Sequence, residues 1–180
     1  MPKLIKDGAL AVDRWSALPD AYSLTDVPER APVVVPLALW QAERGALRAR
    51  GNVGVILAPS DDPATLTEDT GTLPLIAIEF PQFTDGRGYS TARLLRERYR
   101  FAGELRAIGD VLRDQLYLLA ECGFDAFALS ERSDPDDALQ GLQDFSGLYA
   151  ATARTPQPWF RRRATGPTCN AGWDSSGSAL

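Results

Sequence analysis

Leu75-Ile-Ala-Ile-Glu-Phe80, followed by Pro81-Gln-Phe-Thr-Asp-Gly-Arg-Gly-Tyr-Ser90, is the stretch that decides the fold of this chain. The first six residues are apolar at every position except Glu79, a pattern typical of a strand covered on both faces. The glycine-containing segment after them leads into a helix predicted from Ser90, as its N-cap, to about Arg98. A buried strand followed by a loop and a helix is the repeating unit of a parallel sheet.

The same unit recurs on both sides of this stretch. Four further strands are predicted, at Val33–Val35, Val53–Leu57, Leu105–Ile108 and Ala126–Leu129. Helices are predicted between them and after the last one, over residues 40–50, 63–69, 113–121 and 135–149. This alternation predicts an α/β domain with a mostly parallel sheet of about five strands. It fits an open doubly wound sheet and a curved, partial-barrel arrangement equally well.

The chain divides into three parts. Residues 1–32 lack a firm period and are interpreted as an N-terminal arm or short edge structure, whereas residues 33–150 form the α/β domain. Residues 151–180 contain prolines, the triplet Arg161-Arg-Arg163 and a Gly/Ser-rich end, and are interpreted as a mobile tail. At 180 residues, one domain is the expectation.

Charge and composition exclude several classes of function. The formal charge is −5, and the segment from Glu79 to Gln115 carries seven arginines against six acids, which is too weak an enrichment for nucleic-acid binding. No apolar segment has the length of a membrane span or a signal peptide, so the expectation is a cytoplasmic protein that does not bind membranes. Cys122 and Cys169 match no metal or redox spacing.

The absence of histidine limits the chemistry. It excludes histidine-based acid/base catalysis, the Ser-His-Asp and Cys-His arrangements, and most zinc sites. The usual nucleotide and flavin fingerprints are also missing. The sequence therefore predicts neither a cofactor nor a metal.

The loop over residues 81–90 is the first candidate site, because it follows a strand and therefore lies at the carboxyl edge of the sheet, where open α/β folds bind ligands. Gly86 and Gly88 permit positive φ, and the N–H groups of the following helix suit an anion, with Arg87 and Ser90 as further donors. The alternative is a purely structural turn, in which Arg87 pairs with Asp85 or Asp110.

A second loop, Gly109–Gln115, follows the next strand and is expected to face the first. Asp110 is interpreted either as a helix cap or as the group that orients Arg87, and Asp114 suits the helix dipole. Asp85 and Asp110 are the candidate catalytic pair, since two carboxylates with separated pKa values can exchange protons.

Glu104 and Arg106 flank Leu105 in a predicted strand, so both side chains point to the face opposite Leu105. If that face is covered, the two charges must pair, because an unpaired buried charge is costly.

Three motifs carry a family resemblance, and they are Leu75–Ser90, Gly103–Gln115 and Cys122-Gly-Phe-Asp-Ala-Phe127. In this order they resemble the bacterial family called domain of unknown function 934, whose members are commonly labelled "oxidoreductase probably involved in sulfite reduction". The resemblance covers residues 35–149 and implies a role beside assimilatory sulfite reductase. It marks twelve motif positions without assigning roles to them: Asp85, Gly86, Arg87, Gly88, Tyr89, Ser90, Glu104, Arg106, Gly109, Asp110, Asp114 and Gln115.

Three hypotheses about function follow. The first is an accessory protein of sulfite reduction that binds a sulfite reductase subunit or a small oxyanion at the loop over residues 81–90. The second is an oxidoreductase or lyase acting on a small sulfur oxyanion or acid, with Arg87 and Arg106 clamping the anion and Asp85 or Asp110 moving protons. The third is a non-catalytic scaffold held by an internal ion-pair network.

Overall fold

The computed structural model describes residues 3–19, 21, 23–130, 133–145 and 148–162. It shows a single α/β domain built on a curled, mostly parallel sheet, as the strand and helix alternation predicts. The sheet order is β2-β1-β8-β7-β6-β5-β4-β3. Its strands are β1 (Lys3–Lys6), β2 (Ala9–Ala11), β3 (Ser16–Ala17), β4 (Val33–Pro36), β5 (Val53–Leu57), β6 (Leu75–Phe80), β7 (Glu104–Gly109) and β8 (Ala126–Leu129).

The sheet has eight strands, so the predicted number of about five is wrong. The five predicted strands are present as β4 to β8, in parallel and in sequence order. The three additional strands all come from the first 32 residues. β1 and β2 form an antiparallel hairpin on β8, and β3 adds in parallel to β4. These strands have only two to four residues: β1 buries Leu4 and Ile5, and every residue of β2 and β3 is exposed.

The connection between β2 and β3 shows how strongly the sheet curls. These strands lie at opposite edges, yet only residues 12–15 join them. Eight strands laid flat about 4.8 Å apart would hold the edges about 34 Å apart. The chain from Ala11 to Ser16 reaches at most about 18 Å. The sheet therefore curls into a half-barrel, and residues 12–15, here called the strap, cross its concave face.

Six helices occur in the described residues: α1 (Leu37–Ala42), α2 (Arg44–Arg50), α3 (Arg87–Arg93), α4 (Leu116–Glu121), α5 (Pro135–Gly141) and α6 (Trp159–Arg162). A π-helical stretch, Leu94–Arg98, continues α3, and 3₁₀ turns occur at Leu24–Asp26, Pro63–Leu66 and Arg113–Gln115. The main core lies between helices and sheet, where Val35, Val55, Ile78 and Leu105 pack against Leu47, Leu95 and Leu116. None of the helices in the described residues is long and apolar enough to cross a membrane.

Several predicted helix ends are confirmed, and others lie at different residues in the structure. Gly51 ends α2 with φ of 68°, and the carboxylates of Asp62 and Asp134 accept backbone N–H groups at the starts of the helical segments after them. The predicted helix over residues 40–50 starts earlier, at Leu37, and is broken at Glu43. The last predicted helix ends at Gly141 instead of continuing to Tyr149.

Part of the segment after α5 is held against the domain. Thr152 Oγ1 donates to Glu121 Oε2 at 2.6 Å, which fixes residues 151–155 to the end of α4. The rest of the predicted mobile tail over residues 151–180 includes residues 163–180, which lie outside the described residues together with the last arginine of the triplet.

Candidate functional site

The loop after β6 is closed by an ion pair between Asp85 and Arg87. Arg87 Nη2 lies 2.6 Å from Asp85 Oδ2, and Arg87 Nε lies 3.0 Å from Asp85 Oδ1, so the contact is bidentate. The backbone N–H of Arg87 also donates to Asp85 Oδ1. The structural alternative for Arg87, pairing with Asp85, is confirmed.

This pairing fixes the charges of the loop. The side-chain hydrogen bond from Arg87, and then the backbone one, lower the pKa of the Asp85 carboxyl below its ordinary value. The same hydrogen bond raises the pKa of the Arg87 guanidinium. The Asp85 carboxylate thus stands at the N-terminal end of α3, where an external anion would otherwise bind. An oxyanion must displace Asp85 to reach Arg87.

Ser90 does not cap the helix, so that prediction is wrong. α3 begins at Arg87, three residues earlier, because Asp85 takes the first free N–H and draws the start of the helix upstream. Gly86 has φ of −82°, and neither Gly86 nor Gly88 adopts the positive φ that glycine permits.

Gly88 and Tyr89 hold α3 against the end of β6. A Cβ on Gly88 would lie 2.5 Å from the Phe80 ring, so only glycine lets the helix approach this closely. The Tyr89 ring packs edge-on against Phe80, with 5.7 Å between ring centroids. Burial raises the pKa of the half-buried Tyr89 hydroxyl. Both residues therefore position the loop.

The loop after β7 meets the loop after β6, as predicted. Gly109 ends β7 with φ of 96°, and a Cβ there would lie 2.4 Å from the carbonyl oxygen of Phe80. The backbone N–H of Asp110 donates to that oxygen at 2.7 Å. The Asp110 carboxylate accepts the N–H of Phe83 at 3.0 Å. Asp110 therefore neither caps its own helix nor contacts Arg87, and both interpretations of its role are wrong.

Gln115 joins the same two loops a second time. Its Nε2 donates to the carbonyl oxygen of Phe83 at 2.7 Å, and its Oε1 accepts the N–H of Leu112 at 3.1 Å. The side chains of Phe83 and Leu112 nevertheless remain exposed, at 51% and 36%. We call Phe83, Leu112 and the Gln115 amide between them the Phe83–Leu112 surface. Asp114 lies exposed in the helical turn beside it.

Arg106 lies apart from this surface. It is three residues before Gly109 in β7, about 10 Å along the strand. Its side chain is 4% exposed and pairs with Glu104 Oε1 at 2.6 Å and with Asp13 Oδ2 at 2.8 Å. The predicted pairing of Glu104 with Arg106 is confirmed, and the strap, through Asp13, covers this face of the sheet. The structure does not bring Arg87 and Arg106 together.

Residues missed by the sequence analysis are Phe83, Leu112 and Asp13. An aromatic residue between turn-forming residues, as Phe83 is in Pro81–Gly86, was a usable signal, because a loop phenylalanine has no strand or helix face to bury. Asp13 gave no signal, since its partner is 93 residues away. No group of three metal-ligating residues was found among the side chains of the described ranges.

Comparison with known proteins decides the family. The family model described as "Bacterial protein of unknown function (DUF934)" matches residues 54–160, more than half of the chain. The chain belongs to this family. No curated protein matches it. The DUF934 match spans β5 to β8 and both loops of the Phe83–Leu112 surface, whereas β1 to β4 and the strap lie before it.

Five of the twelve residues that the family resemblance marks fix the carboxyl edge of the sheet. Gly88 and Tyr89 seat α3, Gly109 lets the two loops touch, and Asp110 and Gln115 tie them together. The edge therefore presents a set of fixed apolar and charged groups.

Proposed function

We propose that this chain is an accessory protein of assimilatory sulfite reduction that works in the cytoplasm by binding a sulfite reductase subunit through the Phe83–Leu112 surface. The link to sulfite reduction comes from the label that members of the DUF934 family commonly carry. The choice of this surface comes from the geometry of the two loops. No cofactor of its own is part of the proposal.

The Gln115 bridge is the observation that carries the choice of a protein partner. It fixes the backbone at Phe83 and Leu112, whose side chains are exposed, before anything binds, and preorganised aromatic and aliphatic groups are the usual anchors of protein interfaces. The same two loops also carry the charged residues Asp85, Arg87 and Asp114. An apolar centre with a charged rim is the general anatomy of a protein interface.

The bidentate Asp85–Arg87 pair supports a protein partner over a small oxyanion at this place. A carboxylate of the chain already supplies the negative charge that Arg87 and the helix N-terminus favour. A sulfite or sulfate ion must compete with a tethered carboxylate, which has a high effective concentration. Oxyanion binding therefore remains the second candidate.

A pull-down tests the proposal. The tagged chain, incubated with a lysate of sulfate-grown cells, is expected to recover a sulfite reductase subunit identified by mass spectrometry, and the Phe83→Ala variant is expected to recover much less. Leu10→Ala is the matched control, because Leu10 is as exposed, at 49%, but lies on β2 at the edge of the sheet. Failure of the wild-type chain to recover any sulfite reductase subunit would contradict the proposal.

A further inference from the structure

A cavity of about 510 Å³ opens at the amino-terminal edge of the sheet, away from the Phe83–Leu112 surface. It lies where the β1–β2 turn, the end of α4, α5 and residues 153–154 meet. Pockets that bind small molecules commonly have volumes of about 300–1,000 Å³. The cavity therefore has room for a metabolite.

One side of the cavity is apolar. Phe124 and Phe127, both buried, line it together with Leu139 and Leu142, which follow one another on α5 and just after it. An aliphatic or aromatic group of a ligand would lose water contact on these side chains. The apolar side of the cavity therefore favours a ligand that has an apolar part.

Two carboxylates lie beside the apolar side, those of Asp7 and Asp125. Asp125 Oδ1 accepts the N–H of Leu105 at 2.8 Å, and its Oδ2 accepts Arg96 Nη2 at 2.6 Å, which leaves each oxygen free to accept one more hydrogen bond. The backbone N–H of Asp7 donates to the carbonyl oxygen of Asp125, so the two residues are adjacent. The Asp7 carboxylate makes no hydrogen bond or ion pair with any residue in the described part of the chain.

The two arginines that line the cavity differ in whether their guanidinium groups are already hydrogen-bonded. Arg96 is already occupied, since its guanidinium donates to the carbonyl oxygens of Phe101, Gly103 and Gly123 as well as to Asp125. Arg154 lies in the segment after α5, and its exposed guanidinium has no partner among the residues that the structure describes. Its backbone is positioned by the hydrogen bond from its N–H to the carbonyl oxygen of Glu121 and by the neighbouring Thr152–Glu121 contact.

We propose that this cavity binds a small zwitterion of the α-amino acid class with an apolar side chain. The ammonium group lies between Asp7 and Asp125, the carboxylate pairs with Arg154, and the side chain packs on Phe124 and Leu142. The four charged residues, Asp7, Asp125, Arg96 and Arg154, sum to zero, which matches a ligand of no net charge. Burial raises the pKa of the Asp125 carboxyl, and a bound ammonium would offset that burial.

Titration calorimetry on the full chain with leucine, methionine and phenylalanine tests this proposal. We expect one-site binding of at least one of them, and loss of binding for N-acetyl-leucine and leucine methyl ester, each of which lacks one charge. Asp7→Asn and Arg154→Ala are each expected to weaken binding at least about tenfold, because each removes one charge-assisted contact. Both side chains are exposed and make no hydrogen bond or ion pair in the described part of the chain, so the melting temperature should stay unchanged.

Two outcomes would overturn the proposal. One is the absence of any heat of binding for all three amino acids at about 10 mM, about tenfold above a millimolar dissociation constant. The other is equal affinity in the wild type, Asp7→Asn and Arg154→Ala, or equal binding of N-acetyl-leucine. Arg30→Ala is the matched control, since it removes an exposed arginine that does not line the cavity and should leave the affinity unchanged.

Discussion

Gln115 donates from its side-chain amide to the carbonyl oxygen of Phe83 at 2.7 Å, and so connects the loops that follow the two central parallel strands β6 and β7. The same side chain accepts the N–H of Leu112. One residue thus fixes the backbone at both exposed apolar residues of the surface. Because the preordered loops then lose less conformational entropy when a partner binds, the bridge has a consequence for affinity as well as for stability.

Replacing Gln115 should lower both the stability of the chain and its affinity for a partner. Gln115→Ala removes two hydrogen bonds, and we expect the free energy of unfolding to fall by about 1–2 kcal/mol, measured by urea denaturation. Gln115→Glu keeps the acceptor for Leu112 but loses the donor for Phe83, so it should fall between the wild type and Gln115→Ala. Equal stability of all three proteins would mean that the bridge does not form in solution.

Removing Asp85 should create an anion site that the wild type lacks. In Asp85→Ala, Arg87 and the N–H groups of α3 lose their carboxylate, and we expect sulfate or sulfite to raise the melting temperature, since a ligand that binds only the folded state stabilises it. The wild type should show little shift at the same concentration.

The double variant Asp85→Ala, Arg87→Ala is the control for this experiment and should lose the shift. A clear shift in the wild type that disappears in Arg87→Ala would instead favour the second candidate, an oxyanion-binding function.

Gly109 and Gly86 form a matched pair for the contact between the loops. Gly109→Ala forces a side chain into a φ of 96° and places its Cβ 2.4 Å from the Phe80 carbonyl oxygen, so we expect a loss of about 2–4 kcal/mol. Gly86→Ala has φ of −82° and nothing within 4 Å, so its stability should change by less than about 1 kcal/mol. Thermal and urea unfolding measure both, and similar losses would contradict the described loop geometry.

The attachment of the strap to the concave face should depend on Asp13. Asp13→Ala leaves the guanidinium of Arg106, which is 4% exposed, with Glu104 as its one carboxylate partner among the described residues, and we expect a cost of about 3 kcal/mol. Glu29→Ala, on an exposed side chain before β4, should change stability by less than about 0.5 kcal/mol. If Asp13→Ala is equally neutral, the strap does not close the concave face in solution.

The sequence predicted β4 to β8 because each carries apolar residues in close succession, interrupted by Glu79 in β6 and by Arg106 in β7, and a strand buried on both faces leaves that pattern. It did not predict β1 to β3, because strands of two to four residues have no period of their own. Their place depends on partners far along the chain, such as Lys3 opposite Leu129. The curl of the sheet became evident only once β2 and β3 were known to lie at opposite edges.

The candidate site was predicted in part. The meeting of the loops follows from the rule that parallel strands end at one edge, and it is confirmed. The individual contacts were not predictable, because they depend on loop backbone geometry. Asp85 lies within reach of the first N–H of α3, whereas Ser90 is already inside the helix, and Asp110 reaches across to Phe83 instead of capping its own turn.

The most direct test of the proposed function is the dissociation constant between the purified chain and purified sulfite reductase, measured by biolayer interferometry for the wild type, Phe83→Ala and Leu10→Ala. We predict measurable binding by the wild type, a weakening of about 10- to 30-fold in Phe83→Ala, as for an aromatic anchor, and no change in Leu10→Ala. Absence of binding by the wild type, or the same constant for all three proteins, would contradict the proposal.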